Sequence, residues 1–538
     1  MKATVVEPAQ PPWLAHHAAV ELASYLRHMT GAEVTVSQRI PEAAPHPVFA
    51  LALGGPAERL KGLPGGDDPE RLRDGFVIQS AGEGRVNISA IEPIGLLYGV
   101  YEYLEACCGV GFFWDGDYIP HRSGLPMTDI SIAALPRWPL RHFNFSSCWG
   151  LAKFHHQFRT IPERNRLLDW MTKRKLNLSS HYFGPHIAQS GVSATRVFGI
   201  SDTEPDNFTF SGWPGALDFP ADVRSDIIRT QFEYGRRRGI RWIYYLAYGN
   251  VPHQFRDMHP EYNYVGHLGY SATVLHPDDP ECARWSTAFY RDLIETYGAD
   301  HIYQDTPFVE STGAADPEQS FQLKLTAAQR MCEVFKQLDA DAIWESDSWD
   351  FGAVPHVWTP ERISRYFTSL PQDMMLIYDT AGLANPFYGR TNYFEGTPWT
   401  LGILHSFQGD DHLHGDLNHA IRAIQALSAD PEADKCLGIY HVPETSGHNI
   451  LFFDLTTHLA WNPDGVTPED YLRGYARRRF GERDAPRMLP AVQALVRAVY
   501  SGGGRIPIYK KLGCPYGPAE WWPIVDERKR DNDGYDGI

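Results

Sequence analysis

The chain has few cysteines, no surplus of positive charge and no long apolar run. Seven cysteines occur among 538 residues, without a C-x-x-C pair, so neither a disulfide framework nor a zinc site is indicated. Lysine and arginine number 49 against 66 aspartates and glutamates, a net charge of −17. This deficit argues against a nucleic-acid partner and against docking on an anionic membrane. No stretch approaches the roughly 18 apolar residues of a membrane-spanning helix.

The composition is that of a folded protein without a visible export signal. Hydrophobic residues make up 43% and charged residues 21%, which excludes wholesale disorder. The opening residues, MKATVVEPAQ, lack the apolar core of a secretory signal peptide. We therefore expect a cytoplasmic protein, or a secreted or periplasmic protein whose signal peptide has been removed.

Aromatic residues are abundant. Fifteen tryptophans, 27 tyrosines and 27 phenylalanines make up 13% of the chain. Sugar-binding clefts use aromatic faces heavily, because a ring face is apolar, so the count fits an enzyme or binding protein for carbohydrate. A large aromatic core accounts for the count equally well, and composition alone leaves both interpretations open.

Residues 1–130 are predicted to form a small N-terminal α/β domain. Apolar residues recur at helical spacing through Leu22 and Leu26, and Gly31 then ends the pattern. The segments VFALALGG, FVIQS and VNISA have the composition of strands, and a second helix with an apolar face follows over 94–104. The proline-containing segment IAALPRWPLR indicates a domain boundary.

Residues 131–465 repeat a pattern in which a short apolar run ends in polar residues and a helical stretch follows. The eight strand candidates are RHFNF, LNLSSHY, WIYYLAY, HIYQD, AIWES, MLIYD, TLGILHSF and LGIYHVPE. Asp279–Pro280 and Thr359–Pro360 are start signals for the intervening helices. Eight alternations predict a (β/α)8 TIM-like barrel of the α/β class. A doubly wound open sheet would show an early glycine-rich phosphate turn, which the sequence lacks.

Residues 466–538 are predicted to add a short C-terminal helical segment. TPEDYLRGYARRRFG begins with a Thr–Pro start signal, and MLPAVQALVRAVY is amphipathic. Two helices bury little surface alone, so they must pack on the barrel. Formation of a homo-oligomer stays an open interpretation, because a short helical segment could leave apolar surface for a neighbouring subunit to cover.

Acidic residues follow five of the eight predicted strands, at the barrel end where such folds carry their active sites. The acids at these positions are Asp305, Glu310, Glu345, Asp347, Asp350, Asp379, Asp410, Asp411 and Glu444. Glycoside hydrolysis needs one carboxylic acid for the leaving oxygen and a second carboxylate for the anomeric carbon or water, and it needs no cofactor. Each acid alone is also explained as a solvated loop residue or a helix cap. The best catalytic candidates are Glu310 and Glu444.

Six segments resemble glycoside hydrolase family 89, the alpha-N-acetylglucosaminidases. They are GLLYGVYEYLEACCGVGFFW, RNRLLDWMTKRKLNLSSHYFG, HIYQDTPFVE, FEGTPWTLGILHSFQGDDHLHG, GIYHVPETSGHNILFFDLTTHLAW and DYLRGYARRRFG. The resemblance spans residues 90–520 discontinuously. It implies a retaining, exo-acting α-glycosidase in which Glu310 is the acid/base and Glu444 the nucleophile.

The expected partner is therefore an oligosaccharide or glycoside, and the mouth of the barrel should bind it. The substrate-binding candidates are Asn144, Trp149, Tyr182, Asp305, Trp349 and His405. The resemblance places Tyr182 and Trp349 at aromatic walls. It places Asn144 and His405 at contacts with sugar hydroxyls.

The sequence departs from the family pattern near both catalytic candidates. Val309 stands where the family has asparagine before its acid/base, and Ser406 replaces the asparagine of a His–Asn pair. Pro307 is an apparent insertion that lengthens the spacing from Asp305 to Glu310. Because the family uses asparagines near the catalytic glutamate to bind the donor sugar, the resemblance implies hydrolysis with a changed sugar preference.

A retaining mechanism requires Glu310 to be protonated at neutral pH. Phe308 and Val309 are expected to supply apolar surroundings, and Asp305 a negative neighbour. The main competing interpretation is a metal-dependent hydrolase, since the segment HSFQGDDHLHGD concentrates histidine and aspartate after the seventh strand. A non-catalytic carbohydrate-binding protein on the same barrel and a transglycosylase also stay open.

Overall fold

The computed structural model consists of an N-terminal mixed sheet, a closed barrel and a C-terminal helical segment. Among the residues that it describes, no helix combines the length and apolarity that crossing a membrane requires. The described residues are 2–39, 47–82, 84–144, 161–182, 191–200, 221–268, 272–405, 413–443 and 449–501.

The N-terminal sheet has six strands with helices packed on it. The strands are β1 (Lys2–Val6), β2 (Glu33–Ser37), β3 (Val48–Leu53), β4 (Phe76–Ser80), β5 (Arg85–Ala90) and β6 (Ser131–Ala134). Their spatial order is β2-β1-β3-β5-β4-β6, and among these described strands β4 runs antiparallel to the other five. The helices are α1 (Trp13–Thr30), α2 (Ala57–Lys61), α3 (Pro69–Asp74) and α4 (Pro93–Glu102). As predicted, Leu22 and Leu26 are buried on α1, and Gly31 ends it in a left-handed conformation.

Eight parallel strands close into a barrel, which confirms the predicted fold class. In chain order the remaining strands are β7 (Leu140–Phe143), β8 (Leu178–Tyr182), β9 (Arg241–Tyr245), a short antiparallel ribbon of β10 (Asn250–Val251) and β11 (Thr273–Val274), β12 (Ile302–Gln304), β13 (Ile343–Asp347), β14 (Met375–Asp379), β15 (Trp399–His405) and β16 (Cys436–Pro443). Each of the eight strand candidates in the sequence corresponds to one barrel strand. Ile243, Leu376 and Tyr440 belong to one buried cluster of alternating strand positions, which is how a barrel of this size fills its interior.

The remaining helices lie between and after the barrel strands. They are α5 (Ile161–Lys173), α6 (Gly191–Phe198), α7 (Ala221–Arg236), α8 (His253–Met258), α9 (Pro280–Tyr297), α10 (Pro317–Leu338), α11 (Trp349–Ala353), α12 (Pro360–Thr368), α13 (Asn392–Glu395), α14 (Leu417–Ala429), α15 (Ile450–Trp461) and α16 (Pro468–Val499). The side chains of Asp279 and Thr359 cap α9 and α12, as predicted. The sequence predicts two helices after Thr467, and the structure confirms them: the range given for α16 holds two helical stretches that are separated at Gly481, where φ is 79° and ψ is 161°.

Buried ion pairs join the N-terminal part, the barrel and α16. Arg174 lies 3.2 Å from Glu105 and 3.4 Å from Asp454, and Arg478 lies 3.0 Å and 2.7 Å from the same two carboxylates. Burial opposes ionisation of Asp454, but the two arginines outweigh it and lower its pKa. The four charges therefore stay ionised and hold three parts of the chain together.

Candidate active site

The carboxyl ends of the eight barrel strands meet at one rim. The predicted residues that follow these ends in the structure are Asn144, Tyr182, Asp305, Glu310, Trp349 and His405. Glu444 and Trp149 lie outside the described residues, as does the side chain of Tyr182. Asn144 is buried, and its backbone N–H donates to the carbonyl of His441 at 3.0 Å. Within the described residues, the candidate site consists of Glu310 and its neighbours.

Glu310 lies in the loop after β12, with its side chain exposed. The indole Nε1 of Trp349 donates to Glu310 Oε1 at 2.7 Å. The backbone N–H of Glu310 donates to Asp350 Oδ1 at 2.8 Å. The segment after β13 thus fixes both the carboxyl and the backbone of this residue. A carboxyl held beside an aromatic ring can exchange a proton with a ligand that stacks on that ring.

Asp347, the last residue of β13, is an acidic neighbour of Glu310. Its carboxyl accepts hydrogen bonds from Trp349 N at 2.5 Å and Thr380 Oγ1 at 2.6 Å. Burial of this carboxyl raises the pKa of Asp347 to about 7, and nearby carboxylates, including that of Glu310, act in the same direction. A buried carboxyl whose pKa is raised, next to other carboxylates, is typical of acid/base sites.

Asp305 is buried beneath the rim. Its Oδ2 accepts from Tyr248 N at 2.5 Å, and its backbone carbonyl accepts from Trp344 Nε1 at 2.8 Å. Burial raises the pKa of Asp305 to about 7. These contacts hold the loop after β9 against the loop after β12. The sequence predicts Asp305 as the negative neighbour of Glu310, whereas in the structure Asp350 accepts from the backbone N–H of Glu310 and Asp347 is influenced by its charge.

A further carboxyl, Glu345, lies inside the barrel. It is two residues before Asp347 on β13, and therefore on the same face of the strand. Glu345 is fully buried, and burial raises its pKa to about 8. Glu345 interacts with Tyr440. The ring of Tyr440 stacks on that of His142, with the two ring centroids 4.6 Å apart. Burial lowers the pKa of His142 to about 3. Near pH 7 both Glu345 and His142 are thus mainly neutral.

His405, at the end of β15, is buried in a stack of rings. Its ring centroid lies 3.9 Å from that of His414 and 4.5 Å from that of Phe452. Asn449 Nδ2 lies 3.0 Å from His405 Nε2, while Asn449 Oδ1 accepts from His414 N and Tyr500 OH. Since the amide oxygen is the acceptor for both, the amide nitrogen is the donor and His405 Nε2 accepts from it. Tyr500, just after α16, thus helps to orient His405.

The histidine- and aspartate-rich segment after β15 is described only in part. Three of its members lie outside the described residues: Asp410, Asp411 and His412. Asp416 caps α14 with its side chain. Within the described part of the chain, the cluster with metal-ligand spacing lies at the opposite end of the barrel, before β12 and β13, and consists of His301, Asp339 and Asp341.

Residues 221–463 match the family model of the alpha-N-acetylglucosaminidase TIM-barrel domain. The chain is similar to the alpha-N-acetylglucosaminidases. The alpha-N-acetylglucosaminidase of Homo sapiens is 25% identical over 495 residues, which cover 84% of this chain and 64% of the human protein. The resemblance inferred from the six sequence segments is therefore confirmed.

Two solved structures from Clostridium perfringens share the fold. A family 89 glycoside hydrolase in complex with 2-acetamido-1,2-dideoxynojirmycin has a TM-score of 0.68 and 18% identity, over 92% of this chain and 55% of that chain. A variant in complex with its substrate GlcNAc-alpha-1,4-galactose has a TM-score of 0.67 and 17% identity, over the same shares of the two chains. The chain thus spans 64% of the human protein's length and about half of the length of these two structures.

Two polar residues that organise the rim were not among the predicted site residues. Lys324 on α10 is buried and donates to backbone carbonyls of the loop that carries Glu310. The sequence holds a signal for Lys324, because Phe321 and Ala328 place it on the apolar stripe of its helix, where a charge needs a buried partner. Asn449 follows the end of β16, and no periodic pattern marks it.

Proposed function

We propose that the chain is a retaining, exo-acting glycoside hydrolase that prefers α-linked substrates. Glu310 is the acid/base and Glu444 the nucleophile. The observation that carries this proposal is the position of Glu310, which is exposed at the rim, with its carboxyl hydrogen-bonded to Trp349 and its backbone to Asp350. The similarity to alpha-N-acetylglucosaminidases supports the assignment of both glutamates and the α preference.

The reaction proceeds in two displacements. Glu444 attacks the anomeric carbon while Glu310 protonates the leaving oxygen, which leaves the sugar covalently bound to Glu444. Glu310 then removes a proton from water, which displaces Glu444 and releases the sugar with its configuration retained. The two carboxyl groups should lie roughly 5–5.5 Å apart for this chemistry, and it requires no metal or cofactor.

The substrate is an oligosaccharide or glycoside with a terminal α-linked sugar. The human relative is named for N-acetylglucosamine, and one Clostridium perfringens structure holds GlcNAc-alpha-1,4-galactose, so N-acetylglucosamine is the reference sugar. Val309 and Ser406 replace asparagines that the family uses at the donor sugar, and Ser406 lies outside the described residues. We therefore propose that the preferred donor sugar differs from N-acetylglucosamine.

Turnover of a panel of aryl α- and β-glycosides tests this function. We expect the wild-type protein to hydrolyse at least one aryl α-glycoside. Glu310→Ala and Glu444→Ala should each reduce kcat on that substrate by about 10²-fold or more while unfolding at the wild-type urea concentration. Glu295→Ala is the matched control, because it removes an exposed carboxyl from α9, away from the rim.

Three results would contradict the proposal. Turnover that survives both substitutions would show that other groups perform the chemistry. Loss of activity on chelation, with stoichiometric metal in the purified protein, would favour a metal-dependent hydrolase. Saturable binding of a sugar in calorimetry, without turnover of any glycoside in the panel, would favour a non-catalytic carbohydrate-binding protein.

A further inference from the structure

The loop that carries Glu310 holds two residues in an unusual backbone conformation. Phe308 has φ of 52° and Glu310 has φ of 60°, which is the left-handed region that favours glycine. Such conformations cost free energy and persist where the surrounding structure imposes them, which is often at functional sites. The contacts that impose them here come from two side chains on different helices.

Lys324 of α10 and Asp350 of α11 form an ion pair directly behind this loop. Lys324 Nζ lies 2.8 Å from Asp350 Oδ2, and the two side chains are 1% and 0% exposed. Lys324 Nζ also donates to the carbonyls of Pro307 at 3.0 Å and Phe308 at 2.8 Å. The three protons of the ammonium group are thus matched by three acceptors.

Asp350 completes the connection to Glu310. Its Oδ1 accepts from the backbone N–H of Glu310 at 2.8 Å, and its Oδ2 accepts from Trp358 Nε1 at 2.7 Å. Burying two charges is expensive, and packed apolar residues often stabilise a fold equally well. The remaining hydrogen bonds of this ion pair go to the backbone on both sides of Val309. The pair therefore sets the conformation of the loop in addition to any effect on stability.

We propose that Lys324 and Asp350 are a positioning pair that fixes the left-handed loop and thereby aims the Glu310 carboxyl at the leaving-group oxygen. This inference rests on the proposed function, since it assigns the pair to the protonation step. Neither residue touches the substrate. Loss of the pair leaves Glu310 present but misplaced, so proton donation fails selectively.

A series of aryl α-glycosides with phenol leaving groups of increasing pKa separates this role from a structural one. Good leaving groups depart without protonation, whereas poor ones require the acid. We expect Lys324→Met to lower kcat/KM by less than about fivefold for the best leaving group and by about 10²-fold for the poorest. Glu310→Ala should show the same dependence more steeply.

Sodium azide provides a second readout. Azide needs no general base, so it attacks the glycosyl-enzyme and forms a glycosyl azide when Glu310 is absent or misplaced. We expect azide to accelerate Lys324→Met and Glu310→Ala on the best substrate, and to leave the wild-type rate unchanged. Lys175→Met is the matched control: Lys175 is a buried lysine 2.8 Å from Glu102, at the amino end of the barrel.

The outcomes distinguish the pair from the proposed function. Lys324→Met could lower kcat/KM equally for all leaving groups and show no rescue by azide, as a purely structural defect such as that of Lys175→Met would. That result would overturn the positioning role and leave the glycosidase assignment intact. A Glu310→Ala protein with wild-type kinetics would overturn the glycosidase assignment itself. If Lys324→Met is insoluble, Lys324→Met/Asp350→Asn removes both charges at nearly constant volume and is judged by the same two readouts.

Discussion

The indole Nε1 of Trp349 and the carboxyl of Glu310 form a hydrogen bond of 2.7 Å at the barrel rim. The same tryptophan donates its backbone N–H to Asp347, the last residue of β13. The side chain is half-buried, so part of the ring faces outward next to the carboxyl. Trp349 therefore combines two tasks, because it orients the proposed acid and offers an aromatic face to a sugar ring.

These two tasks can be separated by substitution. Trp349→Phe keeps an aromatic face but removes the N–H donor. A hydrogen bond to a protonated carboxyl contributes about 0.5–1.5 kcal/mol, so we expect kcat/KM to fall by about 2–10-fold. Trp349→Ala also removes the ring, so its kcat/KM should fall further because KM rises. Trp13→Phe, at an exposed tryptophan on α1, should leave both constants unchanged, and equal kinetics for Trp349→Phe and the wild type would refute the orienting role.

The buried acid Glu345 should make the protein less stable at alkaline pH. Its pKa is about 8 in the folded protein and near 4.5 in the unfolded chain, so the folded state holds a proton that the unfolded state releases. This contribution to stability is complete at acid pH and is lost as the pH rises through 8. Glutamine stays neutral at every pH. The free energy of unfolding of Glu345→Gln, measured relative to that of the wild type, should therefore rise by on the order of 3 kcal/mol from pH 5 to pH 9.

Urea unfolding at a series of pH values measures this difference. Glu295→Gln, at an exposed position on α9, is the control and should follow the wild-type curve. A Glu345→Gln curve that stays parallel to wild type from pH 5 to pH 9 would show that Glu345 is not held in its neutral form.

The ion pairs around Asp454 should dominate the docking of α16. Asp454→Ala leaves Arg174 and Arg478 to share the one carboxylate of Glu105, and removing a partner from such a pair costs up to about 3–5 kcal/mol. Because the pKa of Asp454 is lowered, its contribution is present above the ordinary aspartate range and is lost as the pH falls. We expect a lower urea midpoint at pH 7. Asp464→Ala, an exposed aspartate after α15, should change the midpoint little, and similar midpoints for both variants would contradict the account.

The hydrogen bond from Tyr500 to Asn449 should influence substrate binding through His405. Tyr500→Phe removes the OH that helps to fix the Asn449 amide, which in turn orients His405. Loss of one such bond is worth about 1 kcal/mol, so we expect KM to rise about threefold to tenfold with kcat nearly constant. Tyr393→Phe removes an OH bonded to Asp430, outside the rim, and should leave KM unchanged. An unchanged KM for Tyr500→Phe would exclude the indirect role.

The barrel strands could be predicted from the sequence because parallel strands are buried on both faces. Runs such as MLIYD and TLGILH are apolar almost throughout and end in a polar residue. The helix starts at Asp279 and Thr359 were predictable for a local reason, since the capping side chain and the proline are adjacent. The break inside α16 was predictable for the same local reason, because Gly481 ends the first helical stretch with a positive φ that favours glycine.

The neighbours of Glu310 were harder to predict than its position in the chain. The loop turns left-handed at Phe308 and Glu310, and neither residue prefers that conformation, so the sequence predicts another path. Tertiary contacts from Lys324 and Asp350 impose it. Asp305, close in sequence, is instead bonded to the backbone of Tyr248 beneath the rim, while Asp350, from the segment after β13, contacts the backbone of Glu310.

The central claim is that one sugar passes through a covalent intermediate between two glutamates. Proton NMR of the anomer first released from an aryl α-glycoside tests it most directly, because mutarotation is slow on the timescale of rapid turnover. The account predicts that the α-anomer appears first and the β-anomer follows only by mutarotation. If the β-anomer appears first, the mechanism is a single inverting displacement and the proposed role of Glu444 as nucleophile is wrong.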